Sequence, residues 1–379
     1  MSSLQWIEIS SKALFHNLNV FRHVLTEGTE MAAVVKANAY GHGLSIVAPA
    51  IEDQVDYLAV HSAQEARELR RIGVRKPILV MGFIPPSELY GFDREIHVLV
   101  STSEEMEWIR DYRQRESVSL PVHLKVETGT NRQGFRLGDL ASVGRAAARN
   151  GLEIVGVGTH FANIEDTLEH AFARRQLDVF REAVERVTKE LGSAPPLVHA
   201  ACSAAALLFR EADFTMVRVG IGMYGHWPSR ETRLSWILEH GRNGVELEPV
   251  LTWKTTVGQV KEVPEGETVG YGRTWQALRP TRLAVLPVGY SDGYPRALGN
   301  RGRVLVNGHP APVVGRVCMN ILLADVTDHT GVSVGDEAVL LGRVEGEEIS
   351  AEEVAELSHT INYEILSRLS TEIERRLLS

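Results

Sequence analysis

The sequence predicts an α/β chain: an N-terminal (β/α)8 TIM-like barrel followed by a C-terminal, mainly β domain. Three observations carry this expectation. Between about residues 31 and 225, eight short apolar runs alternate with amphipathic stretches, the pattern of parallel strands joined by helical crossovers. Beyond Tyr224-Gly225 that alternation stops, and short β-rich runs are separated by turn dipeptides such as Asn307-Gly308 and Gly335-Asp336. The 379 residues also exceed one ordinary domain, leaving space for a second unit beside a barrel of ~250 residues. A doubly wound open sheet gives the same alternation, so periodicity alone leaves that architecture open.

Taken in order, Leu4–Ile9 alternates like a strand and is expected to join the second domain. The barrel strands are expected at 31–36, 57–61, 77–82, 97–101, 121–126, 153–160, 197–201 and 215–221. A helix is expected from about Leu44. Another follows Ser62, where Glu65 completes a capping-box pattern. Ser103 to Arg115 and Thr167 to Leu191 carry apolar residues at helical spacing. Residues 226–246 are polar and irregular and read as a linker with one helical turn. The β runs that follow are Val250–Val260, Arg282–Val288, Arg303–Val306, Pro312–Arg316, Ile321–Val326 and Ala338–Leu341, and Ser350–Ser379 reads as helical. The expected division is a barrel over 10–235 and a β domain over 236–379, joined by the strand in 1–9.

Acidic residues outnumber basic ones, 49 to 40, which argues against binding nucleic acid through phosphate neutralisation. No apolar run reaches the ~20 residues of a membrane span. The first residues lack a basic region followed by an apolar stretch, so a cytoplasmic enzyme with no membrane partner is expected. Cys202 and Cys318 form neither a disulfide framework nor a metal-ligand spacing, so no metal is expected.

The chemistry centres on Lys36, in Ala33-Val-Val-Lys-Ala-Asn-Ala-Tyr-Gly-His-Gly. An apolar strand that ends in an amine desolvates it, lowers its pKa and leaves a nucleophile able to form a Schiff base with an aldehyde. In a barrel, residues at the C-terminal strand ends converge on one mouth. Arg132, His160 and Ser203 lie at or beyond such ends, and Arg218 lies in the eighth strand. Ser203 opens a helix, and Gly220-Ile221-Gly222 allows close backbone approach. Together they suit a phosphate, although a serine so placed ordinarily caps its helix. A reactive lysine beside a phosphate site suggests pyridoxal 5'-phosphate.

Seven segments, in order through both domains, resemble the alanine racemase family. They are the Lys36 run, Lys125-Val-Glu-Thr-Gly-Thr-Asn-Arg, Val217-Arg-Val-Gly-Ile-Gly-Met-Tyr-Gly, Val269-Gly-Tyr-Gly-Arg-Thr-Trp, Pro287-Val-Gly-Tyr-Ser-Asp-Gly-Tyr-Pro-Arg, Gly315-Arg-Val-Cys-Met and Thr360-Ile-Asn-Tyr-Glu. The resemblance implies a pyridoxal-phosphate enzyme, a homodimer with shared active sites, that interconverts L- and D-alanine. It implies that Lys36 carries the cofactor. Tyr40, Ser203, Gly220, Ile221 and Tyr363 would hold the phosphate, and Arg218, supported by His199, would face the pyridine nitrogen. Tyr271 would be the second catalytic base, supplied by the partner subunit. Arg132 and the Met319 backbone would meet the substrate carboxylate, Tyr290 would narrow the entrance, and Lys125, often carbamylated in the family, would orient Arg132.

These residue types make chemical sense. Racemisation removes a proton from one face of Cα and returns it to the other, which two bases on opposite faces achieve. A tyrosine base must titrate below its usual range, and Arg132 and His160 are candidates for lowering it. An arginine at the ring nitrogen keeps that nitrogen unprotonated and limits side reactions. Gly270-Tyr271-Gly272 also reads as a turn with a packed aromatic, Tyr290 and Tyr294 as loop packing, and His160 as a core histidine. Three positions depart from the family pattern: Cys202 where asparagine is usual, Asn320-Ile321 where Asp-Gln is common, and Glu127 for a frequent aspartate. They bear on substrate range, so a serine or broader-range racemase is the alternative, with a non-catalytic pyridoxal-phosphate-binding protein behind it. A decarboxylase of similar plan would pair the ring nitrogen with a carboxylate, and Arg218 stands there instead.

Overall fold

Apolar runs of three to six residues, most of them buried along their length, become the eight parallel strands of one sheet. They are Glu30–Val34, Tyr57–Val60, Ile78–Val80, Ile96–Val100, Pro121–Lys125, Glu153–Gly158, Leu197–His199 and Met216–Val219. From the first to the seventh, each strand pairs with the next in sequence, and the eighth pairs with the first. Thr215 N–H donates to Val198 C=O at 3.2 Å and Arg218 N–H to Ala201 C=O at 3.0 Å, bringing the seventh and eighth strands together. Sequential order with joined ends is a barrel; a doubly wound sheet would reverse direction midway. The computed structural model describes residues 4–241, 245–344 and 346–379.

The chain divides into two compact units. One holds Leu14–Ala37 and Val47–Glu248; the other holds the residues up to Ala13, Asn38–Ile46 and Pro249–Ser379. In the barrel unit, Ser62 and Glu65 form the expected capping box, and Thr102 with Glu105 form a second one. The first strand stops at Val34, short of Lys36, and the eighth stops at Val219, so Gly220 and Ile221 lie in and before a 3-10 turn. The stretch expected to be a linker contains a three-turn helix, Arg230–His240. Its Ser229 cap accepts from Thr232 N–H at 2.9 Å, and Trp236 is buried, so local capping and one apolar anchor outweigh the polar composition. Residues 242–244 of that stretch lie outside the described residues.

In the second unit, Gln5–Ser10 pairs antiparallel with Leu251–Thr256 and parallel with Glu374–Leu378. Leu251–Thr256 pairs on with Glu337–Val344, and Arg303–Val306 with His309–Pro312 extends that sheet. Ile7, Ile9 and Trp253 fill its buried face, each contributing about 1.5–3 kcal/mol by leaving water. Lys254 pairs with Glu8 and Glu337, both at 3.0 Å, tying three neighbouring strands. The run at 250–260 splits at Val257-Gly258 into Leu251–Thr256 and Gln259–Val263, which belong to different sheets. The final segment is not continuously helical. Two short helices, Ala351–Ser358 and Asn362–Ser367, precede the closing strand. No helix among the described residues is long and apolar enough to cross a membrane.

Candidate active site

Lys36 begins one turn of left-handed helix. Ala37, Asn38, Ala39 and Tyr40 have φ of 53°, 55°, 54° and 53°. Each non-glycine residue held there costs about 1–2 kcal/mol, so the surroundings must hold the turn in place. Ala37 N–H donates to Glu65 Oε1 at 2.6 Å, and the other oxygen of that carboxylate accepts from Ser62 N–H at 3.0 Å. The capping glutamate thus also clamps the lysine turn. At the far end Leu44 N–H donates to Asn38 Oδ1 at 2.8 Å, and the Arg375 guanidinium donates to Gly41 C=O at 2.9 Å. A side chain at Gly41 would overlap the Leu366 carbonyl, so only glycine fits. The Tyr40 and Tyr363 rings lie 6.1 Å apart in this second unit, tilted 48°.

Within the barrel unit the structure gathers Lys36, Lys125, His160, His199 and Arg218. Burial lowers the Lys36 amine pKa, and Arg132 and then Arg218 add to the effect against Glu65. Lys125 is pushed well below the lysine range by burial and by Arg218 and Arg132. Basic groups that burial and mutual repulsion push toward neutrality gain from an anionic neighbour. Arg218 is 6% exposed and, among the described residues, pairs with no carboxylate. Its guanidinium donates to Thr159 C=O at 2.8 Å, Ala200 C=O at 3.1 Å and His160 Nδ1 at 3.3 Å, and also to His199 Nδ1. Burial draws its pKa down to about 10, which still leaves it charged at neutral pH. His160 and His199 are held neutral by burial first and by Arg218 second.

Ser203 does not cap its helix. Its Oγ accepts from Gly220 N–H at 2.9 Å and Gly222 N–H at 3.3 Å, joining the helix to the turn after the eighth strand. Gly222 packs against Phe21, which a side chain there would overlap. Cys202 is a protonated thiol, its pKa raised to about 12 by burial and then by Glu165, whose carboxylate it meets at 3.6 Å. Arg132 lies in an exposed loop folded around Glu127. Burial acts to raise that carboxyl, but backbone N–H groups of Asn131, Gly129, Arg132 and Thr130 outweigh it and hold it ionised. The departure at 127 therefore retains the loop-folding carboxylate.

In the second unit, Gly270 and Gly272, both at φ 73°, flank Tyr271, which is 74% exposed rather than packed. Tyr271, Tyr290, Met319 and Asn320 line an open groove of about 480 Å³ with Arg296 and Arg316. Tyr290 faces this groove, whereas Tyr294 is buried against Trp253 at 6.2 Å. Gly289 permits the groove wall: a side chain there would overlap the Met319 and Cys318 carbonyls. Met319 C=O accepts from Ser291 Oγ at 2.8 Å, and Asn320 Nδ2 donates to Ser291 Oγ at 2.7 Å, so the amide at 320 braces this loop. Two residues that motif reading missed are His97 and His123, linked to His199 inside the barrel. Each is a lone histidine in an apolar strand, and only the sheet order brings them together.

Residues 9–228 match the alanine racemase N-terminal domain family and 250–377 the C-terminal domain family. The chain belongs to the alanine racemase family. The alanine racemases of Leptospira interrogans and Halothermothrix orenii are each 38% identical to it, over 98% of this chain and 95% and 96% of theirs. The alanine racemase of a D-cycloserine-producing Streptomyces lavendulae superposes with a TM-score of 0.90 at 33% identity, covering 100% of this chain and 98% of that one. The Bacillus anthracis alanine racemase with bound L-Ala-P gives 0.89, also at 33% identity, covering 100% and 96%.

Proposed function

We propose that this chain interconverts L- and D-alanine with pyridoxal 5'-phosphate, using Lys36 and Tyr271 of the partner subunit as opposing bases in a cytoplasmic homodimer. The observation that carries the reading is the pairing, in one barrel, of a lysine whose pKa is lowered by burial with an arginine that no carboxylate among the described residues neutralises. When bound, the cofactor supplies an aldehyde and a conjugated ring that draws electron density from Cα. The donor set fits it. Lys36 Nζ would hold the aldehyde carbon. Ser203, the Gly220 and Ile221 turn, Tyr40 and Tyr363 would hold the phosphate, and Arg218 would face the ring nitrogen.

The chain's own groups then divide the work. Lys36 Nζ takes or returns the Cα proton on one face, and Tyr271 Oη does so on the other. Arg218 has donors only and stays charged, so it leaves the ring nitrogen unprotonated and restrains side reactions. His199 and His160 orient it. Arg132 and the Met319 backbone would receive the substrate carboxylate, with Tyr290 at the entrance. The Gly-flanked, solvent-facing Tyr271 supports its reaching a second copy.

The test incubates the purified chain and cofactor with L-alanine and L-serine in D2O, reading Cα deuterium and chirality together. Racemisation of alanine with deuterium incorporation is expected, and serine should react more slowly. A decarboxylated product, or no exchange with any small amino acid, contradicts the reading.

A further inference from the structure

We propose that His199, His123 and His97 form a one-way string of neutral imidazoles that holds the Arg218 guanidinium charged and oriented, which makes His123 and His97 positioning residues. The catalytic consequence rests on the function proposed above; the string itself does not.

Direction follows from the donor inventory. A guanidinium can only donate, so His199 Nδ1, facing Arg218, must accept and the proton of a neutral His199 sits on Nε2. That Nε2 lies 2.9 Å from His123 Nδ1 and therefore donates to it. His123 Nε2 in turn lies 3.0 Å from His97 Nδ1 and donates there. Once Arg218 is fixed, neutral rings allow no other arrangement. All three turn their acceptor nitrogen toward the cation, so their dipoles align with its charge. In a low-dielectric interior, aligned dipoles and carbonyls can take the place of a carboxylate, and among the described residues Arg218 pairs with none.

Burial supports neutrality at each ring. His123 and His199 are held far below the histidine range by desolvation and neighbouring positive charge, and His97 is lowered to about 4 by burial. The far end meets Tyr57 edge-on at 5.3 Å, and burial raises that phenol to about 12, so it stays neutral. The barrel is also shaped for the string. His123 and His199 stand on the fifth and seventh strands, and between them the sixth presents Gly156 and Gly158. A side chain at 156 would overlap the His123 ring, and one at 158 the His199 ring. The ladder shifts register between Val122 and His123, a bulge that re-aims the side chain.

The string is tested on the full chain labelled with 15N-histidine, with and without pyridoxal 5'-phosphate. Two-bond 1H–15N correlations should show all three rings neutral and protonated at Nε2. A proton on Nδ1 of any of them, or an imidazolium at neutral pH, overturns the proposal, even if the chain proves not to be a racemase. A second arm compares His123→Phe, which fills the space, with His123→Gln, which can accept and donate. His123→Phe should shift the His199 Nε2 proton and lower kcat about tenfold with little change in KM, and His123→Gln should recover most of it. If His123→Phe fails to fold, His97→Phe and His97→Gln make the same comparison from the other end. Equal behaviour of the phenylalanine and glutamine variants contradicts a positioning role.

Discussion

Lys36 and Tyr271, the two proposed bases, stand in opposite surroundings. Lys36 sits at the start of a strained left-handed turn, partly buried and tuned by Arg132, Arg218 and Glu65 from its own barrel. Tyr271 stands out between two positive-φ glycines, 74% exposed. One base receives its environment from its own chain. The other is displayed, and the proposal is that a second copy supplies its surroundings. The difference teaches that burial and neighbouring charge can tune one base within its own chain, whereas an exposed phenol has no such tuning until something covers it.

The largest expected effect separates the two roles. Lys36→Ala should abolish both racemisation and the borohydride-fixed cofactor adduct. Tyr271→Phe should lose about 10²–10⁴-fold in kcat yet keep the adduct, because only proton transfer is removed. Adduct loss in Tyr271→Phe would end the distinction. In the wild type, adduct formation should reach half-maximum at a lower pH than for an ordinary lysine, since burial favours the neutral amine. The linkage sign agrees. The folded-state pKa lies below the unfolded one, so the unfolded chain binds more protons between them and stability gains from this group as pH rises through that window. A smaller effect concerns the groove scaffold. Gly289→Ala should cost about 1–3 kcal/mol of stability, seen as a lower Tm, because the added methyl meets the Met319 and Cys318 carbonyls.

Much of this was legible in the chain. The Lys36 run announced its own chemistry, and Arg218 in the eighth strand and Ser203 after the seventh stood on the elements where a barrel puts its site. The limits were physical. Ser203 was readable as a cap, but its bond to the Gly220 and Gly222 amides depends on packing from 17 and 19 residues away. Glu374–Leu378 carries Arg375 and Arg376, and it becomes a strand only because Gln5–Ser10 offers an edge. His97 and His123 gave no local signal, since their link spans neighbouring strands and the next crosses a strand made bare by glycine.

The shared site can be tested most directly by complementation. Lys36→Ala and Tyr271→Phe chains are unfolded together, refolded as a mixture and assayed for alanine racemisation. Random pairing makes about half the dimers hybrid, each with one intact site, so roughly a quarter of wild-type activity should return. A mixture as inactive as its parents, while each variant alone folds and dimerises, would contradict the account.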